Sequence, residues 1–287
     1  MSGILYLIGT PIGHLEDITL RALNVLRVVK LVAAEDTRQV RKLLARYQVS
    51  VAVTSYRQHN ASAKCHAILA ELAQGHDVAL VSDAGMPGIS DPGAELVAKV
   101  RRQGFQVTCV PGPSAAVTAL ALSGIAAPTW CFLGFLPRRP GPRRRLLGRV
   151  LTGGTPLVAF EAPHRILDTL ADLVDLAPET KTALAREMTK LHEEVLVGTP
   201  HQVRQQLINR FPDGCPRGEY TLVLEGGTPA PAACSPGTLA EAVQLRVASG
   251  ESISQAVRTI ADAAGVPRQT VYKALRHPEV ADPAVPR

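Results

Sequence analysis

The amino-acid sequence predicts an α/β fold, and three observations carry that prediction. Short apolar runs alternate with stretches of amphipathic helical spacing along most of the 287-residue chain. Segments rich in glycine, proline, serine and aspartate follow several of those runs, the composition expected of loops at strand ends. Hydrophobic residues make up 46% of the chain but aromatic residues only 4%. The core is therefore built from Ala, Val, Leu and Ile, which suits layers of sheet and helix.

Taken in order, Ile4–Ile8 reads as the first strand, and Leu20, Leu23, Val25, Leu26 and Val29 form a helix face. Leu31–Ala34 is a short second strand, followed by a helix through Val40, Leu43 and Leu44. Val51–Thr54 is a third strand and Ala61–Ala73 a helix. Val78–Val81 and Phe105–Val110 are strands on either side of a helix at 92–103, and Pro113–Leu122 is a small-residue helix able to approach a sheet closely. This βα repetition implies a mainly parallel sheet with helices on both faces. A second set has strands at Trp130–Phe135, Pro156–Phe160, Thr182–Arg186, Glu194–Val197 and Glu219–Leu224, with helices at 143–151, 164–175 and 200–210.

The expected organisation is an N-terminal α/β domain at 1–123, a second α/β domain at 124–226, a linker at 227–237 and a helical tail at 238–287, with a ligand cleft between the two domains. In the tail, Leu239–Ala248, Ile253–Ala264 and Arg268–Arg276 read as helices. The spacing of Ile253, Ala256, Val257, Ile260, Ala261, Val266, Val271 and Leu275 fits a helix-turn-helix that carries Arg268, Gln269, Thr270 and Lys273 outward. Contact with nucleic acid and a simple helical cap are both open on this pattern.

Charge is unevenly spread. The net charge is +6, yet the segment from Leu96 to Phe160 has no Asp or Glu and nine positive residues, so the rest of the chain sums to −3. Six of the nine are arginines within 138–149: Arg138, Arg139, Arg143, Arg144, Arg145 and Arg149. One basic region on a near-neutral body suggests a polyanionic partner, against the plainer reading of a solubilising surface. The five cysteines form no CxxC and no zinc spacing, which points to a reducing compartment and no metal site. With no leader pattern and no apolar stretch of the ~18 residues that a spanning helix needs, the expectation is a cytoplasmic protein with no membrane partner.

The most informative motif is the loop from Val81 to Gly93, Val-Ser-Asp-Ala-Gly-Met-Pro-Gly-Ile-Ser-Asp-Pro-Gly. It is longer than the usual connection of about 2–6 residues, and it sits where a strand's carboxyl end meets a helix, the position at which open α/β sheets bind ligands. Asp91 reads as the N-cap and Pro92 as the first helical residue. The loop exposes backbone groups and two carboxylates but no Lys or Arg, so its ligand carries cationic or neutral polar groups rather than phosphate.

The loop Gly9-Thr10-Pro11-Ile12-Gly13-His14-Leu15 lacks both GxGxxG and GxxxxGK, which leaves dinucleotide and ATP sites unsupported. Asp36 is either a helix cap or a cleft residue, and His59 sits at a strand-to-helix passage. Pro113-Ser114-Ala115 opens a helix with bare N–H groups able to take a carboxylate or an adenine edge. Glu187 and Lys190 are candidate proton-transfer groups and Arg165 a candidate phosphate clamp, with surface salt bridges the competing reading.

In order, LIGTPIGHLEDITLRAL, AAEDTR, LVSDAGMPGISDPG, VPGPSAA, GFLPR, FEAPHR, AREMTKLHEE and RGEYTLVLEG resemble the tetrapyrrole-methylase-type (class III) methyltransferases over about residues 3–227. Where relatives acting on tetrapyrroles usually carry GxGPGD after the first strand, this chain has GTPIGHLED, and the resemblance is to the branch acting on 16S ribosomal RNA. It implies two α/β domains with S-adenosylmethionine between them, a homodimer, and transfer to the ribose 2'-hydroxyl of a cytidine in 16S ribosomal RNA or the small ribosomal subunit. It places cofactor contacts on Pro11, Ser82, Asp83, Gly85, Met86, Pro87, Ser114 and Ala115. His14 stands where asparagine is usual, and Met86 where threonine is usual.

A 2'-hydroxyl is a poor nucleophile and benefits from a general base; Asp36, Glu187 and Lys190 are the candidates, the lysine requiring desolvation to be neutral. Arg138, Arg139, Arg143, Arg144, Arg145, Arg165 and Lys273 are the expected RNA contacts. A tetrapyrrole or corrinoid C-methyltransferase and a non-enzymatic nucleic-acid-binding regulator remain the alternatives.

Overall fold

The computed structural model describes residues 2–58, 60–226, 236–264 and 267–276. The first five strands are β1 (Ile4–Ile8), β2 (Leu31–Ala34), β3 (Ala52–Ser55), β4 (Val78–Val81) and β5 (Gln106–Val110), joined by α1 (Leu20–Val28), α2 (Thr37–Arg46), α3 (Ala61–Ala73) and α4 (Ala94–Arg102). They make one all-parallel sheet in the order β3-β2-β4-β1-β5. Side chains alternate across a strand, and both faces of this sheet are used. Ile8, Ala79 and Val81 pack under Leu26, Leu43 and Leu44, while Leu5, Val78 and Leu80 pack under Ile68, Leu72, Leu96 and Val100. The parallel order brings the carboxyl ends of β1, β2, β4 and β5 to one edge.

The second sheet contains β6 (Cys131–Phe135), β7 (Leu157–Glu161), β8 (Thr182–Arg186), β9 (Glu194–Gly198) and β10 (Tyr220–Leu224) in the order β6-β7-β10-β8-β9. Only β6 and β7 are parallel; the other neighbours are antiparallel. One face is covered by α6 (Pro140–Leu151), α7 (Ile166–Leu176) and α8 (Pro200–Arg210), whose Leu147, Leu170, Leu173, Val203 and Leu207 meet Leu157, Leu184 and Leu222. The other face is covered by α5 (Ala115–Ser123), which follows β5 in sequence. Its Ala116 and Ala119 lie against Val158, Ala183, Ala185 and Val223, all buried. Small side chains on both partners permit this close approach, and α5 thereby ties the two sheets together.

The tail forms α9 (Pro236–Ala248), α10 (Ile253–Ala264) and α11 (Arg268–Arg276). Val243, Ala256, Val257, Ala261 and Val271 enclose a small core of their own, and Arg268, Gln269, Thr270 and Lys273 are exposed. Val266, His59 and the proposed linker segment up to residue 235 lie outside the described residues.

One local expectation is corrected. The helix after the long loop begins at Ala94 with Gly93 as its N-cap and no capping side chain, so Asp91 and Pro92 belong to the loop. Gly93 has φ 155°, and a Cβ there would sit 3.0 Å from a methyl of Leu80. The chain reaches the helix through a conformation and a close approach that favour glycine, which leaves the Asp91 carboxyl free to turn elsewhere.

Candidate active site

A cavity of about 450 Å³ lies between the two sheets. From the first half it is lined by Ile12, Glu35, Asp83, Ala84, Gly85, Met86, Ile89, Ser90 and Asp91, and by the start of α5 at Ser114–Ala116. From the second half come Phe135, Phe160–Pro163, Met188 and Gly218–Thr221.

Backbone pairing builds the first wall. Thr10 and Gly85 exchange two N–H···O bonds of 2.9 and 3.0 Å, while the Thr10 hydroxyl donates to the Ser82 carbonyl at 3.1 Å. The Ser82 hydroxyl in turn donates to the Gly85 carbonyl at 3.2 Å. The loop after β1 thus clamps the loop after β4. Gly9 and Gly112 touch backbone to backbone: a Cβ on Gly9 would stand 2.7 Å from the Gly112 Cα. The helix end at Ser114 has no capping side chain, so no cap claims the first N–H groups of α5, and Ser114–Ala116 line the cavity.

Among the described residues no Lys or Arg lines the cavity, whereas Glu35, Asp83, Asp91, Glu161 and Glu219 do. Glu161 is satisfied within the protein by the Thr169 hydroxyl (2.7 Å), the Ala162 N–H (2.7 Å) and Arg165 (2.6 Å). Glu219 is paired with Lys190, and Glu35, Asp83 and Asp91 leave a negative field. Burial, with Glu35 and Asp83 nearby, pushes the Asp91 carboxyl up to about 6, although a hydrogen bond from Ser82 works against this. Burial and the Asp83 charge likewise raise Glu35. This pattern is that of carboxylates short of a cation.

Asp83, Gly85, Met86, Ser114 and Ala115 line the cavity as expected, but Pro11, Ser82 and Pro87 do not. All three are buried and belong to the frame: the polar groups around Ser82 are spent on fixing the loop, and Ile12 rather than Pro11 reaches the opening. Asp36 is a helix cap. It accepts from the Arg38 N–H at 2.9 Å and from the guanidinium at 3.0 Å, and Arg38 holds its carboxyl far below the usual carboxylate range. Such a group is a poor base.

Glu187, Lys190 and Glu219 form a cluster beside the cavity, and of the three Glu219 alone lines it. The Lys190 ammonium donates to Glu187 Oε1 and Glu219 Oε2, each at 2.9 Å. Burial alone would lower the lysine, but the bonds to Glu187 and Glu219 outweigh it and its pKa is raised. Lys190 is therefore a held cation, not the neutral base that desolvation would create. Burial would raise Glu187, yet bonds from Lys190 and the Glu219 N–H lower it. Glu187 and Thr189 have positive φ, 50° and 62°, a cost that non-glycine residues bear where surroundings over-determine them. Here the His14 N–H donates to the Thr189 hydroxyl at 2.9 Å, and Gly218 leaves room for the Glu187 side chain.

The arginine arm divides. Arg143 is only 3% exposed and donates to Asp172 at 2.7 Å. Arg144 bonds Asp172 at 3.0 Å and Asp175 at 2.8 Å. Arg165 holds Glu161 and donates to the Leu136 carbonyl at 3.2 Å, so it braces the ends of β6 and β7 rather than clamping a phosphate. These three are corrections: α7 supplies acidic partners that the local sequence of α6 does not show. A signal was present, since Arg143 lies four and eight residues before the buried Leu147 and Leu151, on the core stripe of α6. Arg138, Arg139, Arg145 and Arg149 are exposed and form no ion pair among the described residues. Phe135, Phe160, Glu35 and Glu219 are cavity residues that sequence reasoning passed over; each ends or flanks a strand that it had located.

This two-sheet architecture with a cleft at the strand ends has known counterparts. The model of the tetrapyrrole (corrin/porphyrin) methylases matches residues 4–203, and the chain belongs to that family. A cobalamin biosynthetic enzyme, cobalt precorrin-4 methyltransferase, superposes with a TM-score of 0.58 at 17% identity, covering 77% of this chain and 94% of that one. This likeness concerns the fold. Within the family, the chain is 42% identical over 273 residues to the ribosomal RNA small subunit methyltransferase I of Synechocystis sp., covering 94% of this chain and 96% of the relative. It is 45% identical over 224 residues to the protein of the same name from Thermotoga maritima, covering 78% and 99%.

Proposed function

We propose that this chain is a methyltransferase that carries the methyl group of S-adenosylmethionine to the ribose 2'-hydroxyl of a cytidine in 16S ribosomal RNA, presented free or in the small ribosomal subunit. We further read it as a cytoplasmic homodimer, with domains at 1–123 and 124–226. The carrying observation is the cleft between the sheets, lined by carboxylates and by the uncapped start of α5 and, among the described residues, by no Lys or Arg. S-adenosylmethionine has a sulfonium, an ammonium and a carboxylate but no phosphate, and this donor set fits it. The relatives named as ribosomal RNA methyltransferases support the acceptor, as do the exposed arginines at the start of α6. Among the described residues no helix is long and apolar enough to cross a membrane.

In this reading Glu35, Asp83 and Asp91 hold the cationic part of the donor, and the N–H groups at Ser114 and Ala115 take its carboxylate or adenine edge. The donor supplies an electrophilic methyl group on sulfur. The protein's task is to align the acceptor oxygen with it at about 3 Å and to exclude water. Lys190, locked as an ammonium between Glu187 and Glu219, stabilises negative charge developing on that oxygen. The departing proton passes to a carboxylate of the cluster or to water. Of the three candidate catalytic residues, Glu187 and Lys190 keep a role as a pair, and Asp36 serves the fold.

The test is transfer of tritiated methyl from S-adenosylmethionine to undermodified small subunits and to 16S ribosomal RNA, with uroporphyrinogen as control. Label is expected at a cytidine 2'-oxygen. Label in the tetrapyrrole alone would overturn the reading.

A further inference from the structure

Strand β6 carries an irregularity that changes where one aromatic points. Cys131 and Phe132 pair with Leu157 and Val158, but Phe135 pairs with Phe160. Three steps along β6 therefore match two along β7, so β6 holds one extra residue. In a regular strand, residues three apart face opposite sides. The extra residue cancels that alternation. Phe132 and Phe135 both stand edge-to-face against Phe160, with ring centroids at 5.0 and 5.5 Å. Gly134 makes the bulge, with φ 63°, and a Cβ there would lie 3.1 Å from the Ser90 hydroxyl. Bulges beside active sites commonly re-aim a side chain.

The side chain re-aimed here lines the cleft yet remains 59% exposed, as does Ile89 on the facing loop at 53%. Phe132 and Phe160, by contrast, are packed toward α5. The fold thus places one large aromatic ring at the opening of a polar cleft, backed by a second ring and faced by an aliphatic side chain. Three and four residues further on, Arg138 and Arg139 are exposed. An apolar slot with cations beside it matches a planar base on a phosphate backbone, because every base has a face that stacks on an aromatic ring. Proteins that recognise a particular nucleotide in RNA commonly take its base unstacked and hold it on an aromatic side chain, an arrangement that also brings its ribose to a cleft.

We propose that Phe135, aimed by the bulge at Gly134 and backed by Phe160, is the stacking platform for the base of the acceptor nucleotide, with Ile89 on the opposite rim and Arg138 and Arg139 on the flanking phosphates. This rests on the ribosomal RNA reading above, and it assigns Phe135 to the acceptor rather than to the donor.

The test compares Phe135→Ala, Phe135→Leu and Phe135→Tyr. Initial rates are measured against undermodified small subunits, and S-adenosylmethionine affinity is measured by calorimetry on the same preparations. Loss of one base–aromatic stack is expected to lower kcat/KM for the subunit by about tenfold or more in the Ala and Leu variants. Phe135→Tyr keeps the ring and is expected to stay within about twofold of the parent. Donor affinity is expected to change less than kcat/KM in the Ala and Leu variants. The proposal fails if donor affinity falls in step with kcat/KM, if Leu serves as well as Tyr, or if no variant changes the rate. Absence of RNA methylation by the parent protein would instead remove the functional reading on which the proposal rests.

Discussion

The loop at 81–93 and the arginine arm at 138–149 were both read from charge, and they behave differently. The loop lacks cations, and among the described residues no Lys or Arg lines the assembled cleft: of the five acidic residues on its wall, Glu161 and Glu219 are paired with Arg165 and Lys190, and Glu35, Asp83 and Asp91 are not neutralised by a lining cation. The arm has an excess of cations, and a remote helix consumes part of it through Asp172 and Asp175. A missing charge survives folding when the surrounding loops lack it too. A charge that is present can be cancelled by any element that packs on it. Absence was the safer clue here because several loops had to agree, whereas one helix sufficed to bury Arg143.

Breaking the arm at its buried member should have the largest effect on stability. Arg143→Ala strips Asp172 of its buried partner and leaves it only the half-exposed Arg144, so the variant is expected to lose about 1–3 kcal/mol of stability in denaturant titration. Arg145→Ala should stay within about 0.5 kcal/mol. Equal stability of the two variants would erase the division within the arm. Next comes Lys190→Ala, at the junction of cleft and acceptor. Loss of a fixed charge-stabilising group should lower methyl transfer by about 10²–10³-fold while calorimetry shows unchanged donor affinity. Wild-type turnover would remove Lys190 from the mechanism.

A smaller effect separates the exposed arginines from the paired ones. Each of Arg138→Ala, Arg139→Ala and Arg145→Ala should reduce the slope of log affinity for RNA against log salt by about 0.7 for a single-stranded contact. Disrupting Arg165 should not lower the slope in this way, since its guanidinium is already held by Glu161. The smallest effect sharpens the loop side. Burial pushes the Asp91 carboxyl up to about 6 from its ordinary 3.8. A raised carboxyl favours the folded, donor-free protein while protonated, and that contribution is lost as pH rises from about 4 through about 6. A cationic donor reverses the preference, because it binds the ionised form and releases the proton. Donor affinity should therefore rise between pH 5 and 7, and Asp91→Asn should flatten that rise by a few-fold. An identical pH profile in parent and variant would exclude Asp91 from the donor site.

Much of the fold could be read from local pattern. β1, β2, β4 and β8 begin and end at the expected residues, as do α3, α8, α10 and α11, because alternation and helical spacing are properties of neighbouring residues. Part of the cavity lining was equally legible: Asp83, Gly85, Met86, Ser114 and Ala115 follow strands, and strand ends converge in an α/β sheet. The rest required contacts between segments far apart in sequence. The ammonium state of Lys190 depends on Glu219, the burial of Arg143 on Asp172, and the exposure of Phe135 on a register shift against β7.

The sequence by itself determined the α/β class, the strand-end loops and the cation-free character of the long loop, since each follows from local composition and period. Only the tertiary structure decided that α5 crosses to the second sheet, that the second sheet is mostly antiparallel, and which charges stay free. Those outcomes depend on which surfaces meet, and a side chain's charge state and direction are set by the partner it meets rather than by its neighbours in the chain.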